Sequence, residues 1–100
     1  MSYQVRLGAR AYEDLADIWM WIATEADLDT ADAYGSRLRR HLAKLVDFPR
    51  RGSPRNDLRH GLRSLVFERH MTIFYEIEGQ VVTILRIVHG ARDQTALFGA

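Results

Sequence analysis

Two apolar stripes of helical period stand next to each other near the start of the chain, separated by a short break. In the first, Leu15, Ile18, Trp19 and Ile22 recur at i, i+3, i+4 and i+7, and Tyr12 and Ala26 extend the stripe. This spacing predicts a helix over about residues 9–26, with Glu13, Asp14, Asp17 and Glu25 off the stripe. Asp27-Leu28-Asp29 breaks the pattern, and Asp29 is the expected N-cap of a second helix, with Asp32 near its positive end. Ala31, Tyr34, Leu38, Leu42 and Leu45 form the second stripe, which stops at Phe48-Pro49 because proline disfavours helical geometry in the residue before it. Two helices joined by so short a break pack as an antiparallel hairpin. Such a hairpin must bury its apolar side on something else.

The rest of the chain supplies a sheet for it. Tyr3, Val5 and Leu7 alternate with Gln4 and Arg6, the period of a half-buried strand. Three further strands are expected at Leu62–Phe67, Met71–Ile77 and Val81–His89, with Glu78-Gly79 as a turn signal and Gly90 as a stop. Residues 49–60 hold both prolines and four arginines and are expected to be a surface connection. Thr95–Phe98 fits a short closing turn. The order is β-α-α-β-β-β, an α+β fold with the helical hairpin on one face of a mainly antiparallel sheet. Strand order stays open. Leu15, Ile18, Ile22, Leu38, Leu42, Leu45, Ile73, Tyr75, Ile84 and Ile87 are the expected core.

One hundred residues are expected to form one domain, 1–100, with a core that needs no staples. There are no cysteines, which fits a reducing, cytoplasmic setting. Met1-Ser2-Tyr3-Gln4 is polar and unlike a signal peptide, and the longest apolar run, Val81–Val88, is too short to span a bilayer. The net charge of +1 hides an asymmetry: residues 1–36 carry −5, residues 37–69 carry +7, and the remainder −1. Thirteen of the fourteen basic residues are arginine, which binds phosphate and carboxylate bidentately. GC-rich codon usage would produce the same bias, and charge alone leaves open whether the chain touches nucleic acid directly.

Four segments carry a resemblance. Ala11-Tyr12-Glu13-Asp14-Leu15-Ala16-Asp17-Ile18-Trp19-Met20-Trp21-Ile22-Ala23 resembles the A-x-x-D-L-x-x-I-x-x-Y-I-A helix of ParE-like toxins. Phe48-Pro49-Arg50-Arg51-Gly52 resembles their P-x-x-G turn. Gly61-Leu62-Arg63 with Ile73-Phe74-Tyr75 resembles their G-x-R…I-x-Y hairpin, and Arg86-Ile87-Val88-His89-Gly90-Ala91-Arg92-Asp93 their closing block. Each motif alone is weak; four in order, over about residues 3–94, resemble the RelE/ParE toxin superfamily on its ParE side. The resemblance implies a bacterial cytosolic toxin held by a cognate ParD-like antitoxin.

The superfamily divides by chemistry. RelE-like members are similar to ribosome-dependent ribonucleases, which need a base, an acid and cations around a pentacoordinate phosphate. ParE-like members are associated with poisoning DNA gyrase by binding. The catalytic candidates for a nuclease are Arg63, Arg86 and His89. Against them, no tyrosine follows Tyr75 and the chain has one lysine, on the second helix. A structural alternative pairs Arg63 and Arg86 with Asp93 or Glu76, and has His89 close a strand end. His41, His60, His70 and His89 lack ligand spacing, so no metal or cofactor is expected. Gyrase inhibition is the preferred reading, a ribosome-dependent mRNA endonuclease the alternative, and a degenerate toxin that only binds antitoxin a third.

For partner binding the candidates are Trp21, Arg37, Arg40, Lys44, Arg50, Arg51 and Arg55, with His89, Arg92 and Asp93 as a functional C-terminal segment. Trp19 falls on the core stripe. Trp21 lies among acidic positions, so it either packs on the edge of the second helix or anchors a partner. The expected antitoxin segment is disordered when free and orders as a helix followed by an extended stretch.

Overall fold

The computed structural model describes residues 2–90 and 94–98. Its elements are β1 (Gln4–Leu7), α1 (Ala9–Glu25), α2 (Leu28–Ala43), β2 (Ser53–Pro54), β3 (Leu62–Phe67), β4 (Met71–Glu78), β5 (Val81–His89) and α3 (Thr95–Phe98), with a 3-10 turn at Lys44–Val46. The sheet order is β1-β5-β4-β3-β2. β1 runs parallel to β5, and the other pairs are antiparallel. The expected α+β architecture therefore holds. The open strand order closes with the first strand beside the last.

Local chemistry explains the boundaries. α2 starts earlier than expected, because Asp27 and not Asp29 is the N-cap: its carboxylate accepts the Thr30 N–H at 2.7 Å. That bond also holds the Asp27 carboxyl below its ordinary range. β4 and β5 are joined at Gly79, whose φ of +61° suits glycine. β2 was not expected, since proline weighs against a strand; Pro54 is tolerated because β2 is a sheet edge.

One face of the sheet carries Phe67, Ile73, Tyr75, Val82, Ile84 and Ile87 against Ala11, Leu38, Leu42 and Leu45 of the helical layer. Leu15 and Ile18 pack against this cluster and, like Ile22, are half-buried. Tyr12 and Ala26 do not extend the buried stripe; both are exposed, and Ala11 takes the innermost position. Trp19 is half-buried rather than core, and its indole N–H reaches Asp32 at 2.9 Å, tying α1 to α2. The other face carries Leu62, Phe74 and Val88 under Leu58, Leu85, Leu97 and Phe98. So the loop before β3 and the closing α3 cover the side the hairpin leaves bare.

A bulge in β5 changes the direction of its side chains. Phe74 pairs with Arg86 while Tyr75 pairs with Ile84, so Leu85 is an extra residue on β5. Val82, Ile84 and then Ile87 all enter the helical-side core, the last two standing three positions apart instead of two. The shift brings Ile87 into that core, where its N–H faces Asp14 of α1.

Candidate functional site

Two rigid braces frame the surface. The first joins α1 to β5. Arg86 donates to both carboxylate oxygens of Asp14, Nε at 2.8 Å and Nη2 at 3.1 Å, and the Ile87 N–H donates to the same carboxylate at 2.9 Å. Both side chains are largely buried, about 14% and 13% exposed. The paired carboxylate raises the guanidinium pKa further above its ordinary value. The sequence alternative that pairs Arg86 with Glu76 is therefore corrected, and the one with Asp93 lies outside the described residues. The partner of Arg86 is Asp14, and Glu76 is taken by Arg59 at 2.7 Å.

The second brace holds the turn after the helices. The buried Tyr75 hydroxyl donates to the Pro49 carbonyl at 2.8 Å and accepts the Gly52 N–H at 2.9 Å. Burial pushes that phenol above its ordinary pKa. A Cβ on Gly52 would lie 2.6 Å from the Tyr75 hydroxyl and 2.7 Å from the Ser64 carbonyl, so only glycine fits. Arg63 donates to the Gly52 carbonyl at 2.7 Å and to that of Arg50 at 3.3 Å, and not to Glu76. Pro49, Gly52, Arg63 and Tyr75, far apart in sequence, are thus one mechanical unit.

Between the first brace and the β3–β4 turn lies a groove of about 640 Å³. Ile18, Trp21, Ile22, Met71, Ile87 and Val88 give it apolar walls, and Asp14, Asp17, Glu68, His70 and His89 line it with polar groups. Trp21 is 65% exposed there, so it does not cover the edge of α2. Tyr34 closes one side; burial raises its hydroxyl pKa. Glu68 is held by Arg37 at 2.7 Å, which keeps its carboxyl below the usual range. The His70 and His89 rings stack with centroids 6.2 Å apart.

The remaining candidates separate. Arg37 is bound to Glu68, whereas Arg40, Lys44, Arg50 and Arg51 are exposed. Arg55 is half-buried, bonded to Asp57 and Gln94 and lying 5.9 Å over the Phe74 ring. Arg92 and Asp93 lie outside the described residues. Arg63, Arg86 and His89 do not form one cluster: Arg63 is opposite Tyr75 and His89 opposite Met71, four residues apart along β4, or roughly 13 Å at strand rise. Among the described residues no group of three or more His, Asp or Glu could hold a metal ion, and no helix is long and apolar enough to cross a membrane. Sequence reasoning missed the structural role of Asp14, although the D of the α1 motif marked the position. It also missed Phe48, 67% exposed on the held turn.

The stretch of chain that holds both braces matches a known family. The family described as "ParE toxin of type II toxin-antitoxin system, parDE" matches residues 5–94, the span that includes both. The chain belongs to the ParE toxin family. Toxin ParE1 of Caulobacter vibrioides is 31% identical over 94 residues, 94% of this chain and 96% of that protein. Toxin ParE3 of the same organism is 31% identical over 86 residues, covering 86% and 85%. The chain is similar in fold to a chromosomal ParDE system from P. aeruginosa, TM-score 0.76 at 20% identity over 87% of this chain and 95% of that one. A RelBE2 toxin–antitoxin complex from Mycobacterium tuberculosis gives 0.65 at 23% identity, covering 89% and 99%. As a ParE-family chain it is a toxin of the type II toxin–antitoxin class.

Proposed function

We propose that this toxin is a cytoplasmic, protein-binding inhibitor, neutralised by a ParD-like antitoxin and directed at DNA gyrase. The observation that carries the reading is the engagement of Arg86 by Asp14 and of Arg63 by backbone carbonyls. Phosphodiester cleavage needs cations and an acid–base pair around one phosphate. Here the two strand arginines are committed to the fold, and His89 stands at the far end of β5 beside His70.

The groove beside Trp21 is the seat we assign to the antitoxin. Its apolar walls suit the apolar face of an ordering helix, and an antitoxin that wraps the toxin would bury about 2,000 Å² or more in total. The exposed Arg40, Lys44, Arg50 and Arg51 would speed capture of an acidic partner.

Induced expression without antitoxin tests the target. A DNA-damage response with filamentation is the expected result. A rapid stop in translation with cut mRNA, abolished by His89→Ala in a protein of unchanged stability, would replace gyrase with the ribosome.

A further inference from the structure

The basic block between residues 37 and 69 is only partly used by the fold. Arg37, Arg55 and Arg59 are in ion pairs, and Arg63 binds backbone carbonyls. Arg40, Lys44, Arg50 and Arg51 are exposed and form no ion pair among the described residues. The backbone gathers them. Arg40 precedes Lys44 by one helical turn. The Phe48 N–H donates to the Lys44 carbonyl at 3.1 Å, and the Arg51 N–H donates to the Phe48 carbonyl at 3.2 Å. Lys44 and Arg51 both lie within electrostatic reach of His41. Phe48 therefore stands between cations.

The Phe48 ring is 67% exposed and, with Asp47, Pro49, Arg50 and Arg51, lines an open recess of about 660 Å³. The recess is not a floppy loop, because Tyr75, Gly52 and Arg63 hold the turn behind it. One acid, Asp47, lines the recess beside Arg50 and Arg51. An exposed aromatic ring beside cations that form no ion pair suits a ligand that is both polyanionic and flat-faced.

Two kinds of polyanion fit that description by charge. An acidic amphipathic helix needs apolar purchase at i, i+3 or i+4, and i+7. Between residues 29 and 65 the only large apolar side chain exposed is Phe48. A single aromatic flanked by arginines is instead what an unstacked base and its neighbouring phosphates use. We propose that this end of the molecule binds single-stranded nucleic acid, phosphates on Arg40, Lys44, Arg50 and Arg51 and one base stacked on Phe48. Such binding goes beyond the toxin reading and holds whether the target is gyrase or the ribosome.

Fluorescence anisotropy of the full chain with labelled oligothymidine, oligouridine and a duplex of matched length, over a salt series, tests it. Four phosphate contacts predict a log affinity that falls against log salt with a slope of about −3. Phe48→Ala weakens single-strand binding about tenfold or more and leaves the slope unchanged, and Phe48→Trp restores it. Arg50→Ala/Arg51→Ala cuts the slope to about half, and Arg40→Ala/Lys44→Ala, on the helix, does the same should the turn variant fold poorly. Tighter binding of oligouridine than of oligothymidine identifies RNA as the source, and the reverse identifies DNA. The proposal is overturned if neither strand binds at low salt, if Phe48→Ala changes nothing, if duplex binds as well as single strands, or if an oligoglutamate peptide binds more tightly than either.

Discussion

Tyr75 does with one hydroxyl what a longer linker would do with many contacts: it accepts from Gly52 and donates to Pro49 in a buried setting. Tyr75→Phe leaves both backbone groups buried and without that partner, so it lowers stability by about 1–3 kcal/mol, read from urea unfolding. Arg86→Ala leaves the largely buried Asp14 with only the Ile87 N–H. The expected loss is about 1–3 kcal/mol, and any loss of toxicity follows the loss of folded protein. His41 supplies a pH signature. Its Nε2 is buried without a hydrogen-bond partner among the described residues, and its ring lies 5.0 Å from that of Phe67. Burial first, then Lys44 and Arg51, push its pKa below the ordinary value, against a hydrogen bond to Val66 and the charge of Glu68. The unfolded chain then takes the proton before the folded one does. Stability is full above the unfolded pKa of about 6.5 and is lost as pH falls below it toward the depressed folded value. Thermal melts from neutral pH down to the start of the carboxylate range check this, and His41→Gln flattens the step. Tyr75 and Arg63 were legible as motif positions, yet their partners were not. Side chain-to-carbonyl bonds such as these depend on where a turn lands in space, which apolar spacing does not encode.

Elements follow the pattern of periods more closely than residues do. Both helices and the four longer strands sit where alternation and helical stripes put them, because burying one face demands those periods. The differences have local causes. The α2 start is set by a bond from Thr30 to Asp27, and the entry of Ile87 into the helical-side core by a bulge at Leu85, visible in the sequence only as the broken alternation Ile84-Leu85-Arg86-Ile87-Val88. The parallel pairing of β1 with β5 joins segments from opposite ends of the chain, and no local signal announces it. The β3–β4 turn offers a prediction at this scale. Glu68 and Arg69 both have positive φ, 48° and 70°. Glu68 is secured by Arg37, while the left-handed backbone at Arg69 has no such side-chain anchor among the described residues. Arg69→Gly relieves that strain and raises stability by about 0.5–1 kcal/mol, seen as a Tm increase of a few degrees, about 2–8 °C. A lower Tm would show that the arginine side chain holds the turn.

At the scale of the whole molecule, the two candidate surfaces are set apart: the Trp21 groove borders α1 and the β3–β4 turn, and Arg40, Lys44, Arg50 and Arg51 lie at the end of α2 and just beyond it. The separation predicts different kinetics for the two surfaces against the antitoxin. Trp21→Ala raises the dissociation rate about tenfold or more, as for a buried aromatic anchor. Arg40→Ala/Lys44→Ala lowers the association rate and weakens its salt dependence while leaving dissociation nearly unchanged. Surface plasmon resonance at two salt concentrations separates them; an unchanged dissociation rate for Trp21→Ala would remove the antitoxin from the groove. What the toxin does when released is a matter of which arginines are free to act. With Arg86 held by Asp14 and Arg63 by the turn, the proposed reading is of a toxin that binds its target and does not cut it. The direct measurement is purified toxin in a gyrase supercoiling reaction, run beside a translating-ribosome cleavage reaction at the same concentration. Dose-dependent loss of supercoiling, reversed by stoichiometric antitoxin, with ribosome-bound mRNA intact, is the predicted result. Intact supercoiling with cleaved mRNA would contradict it.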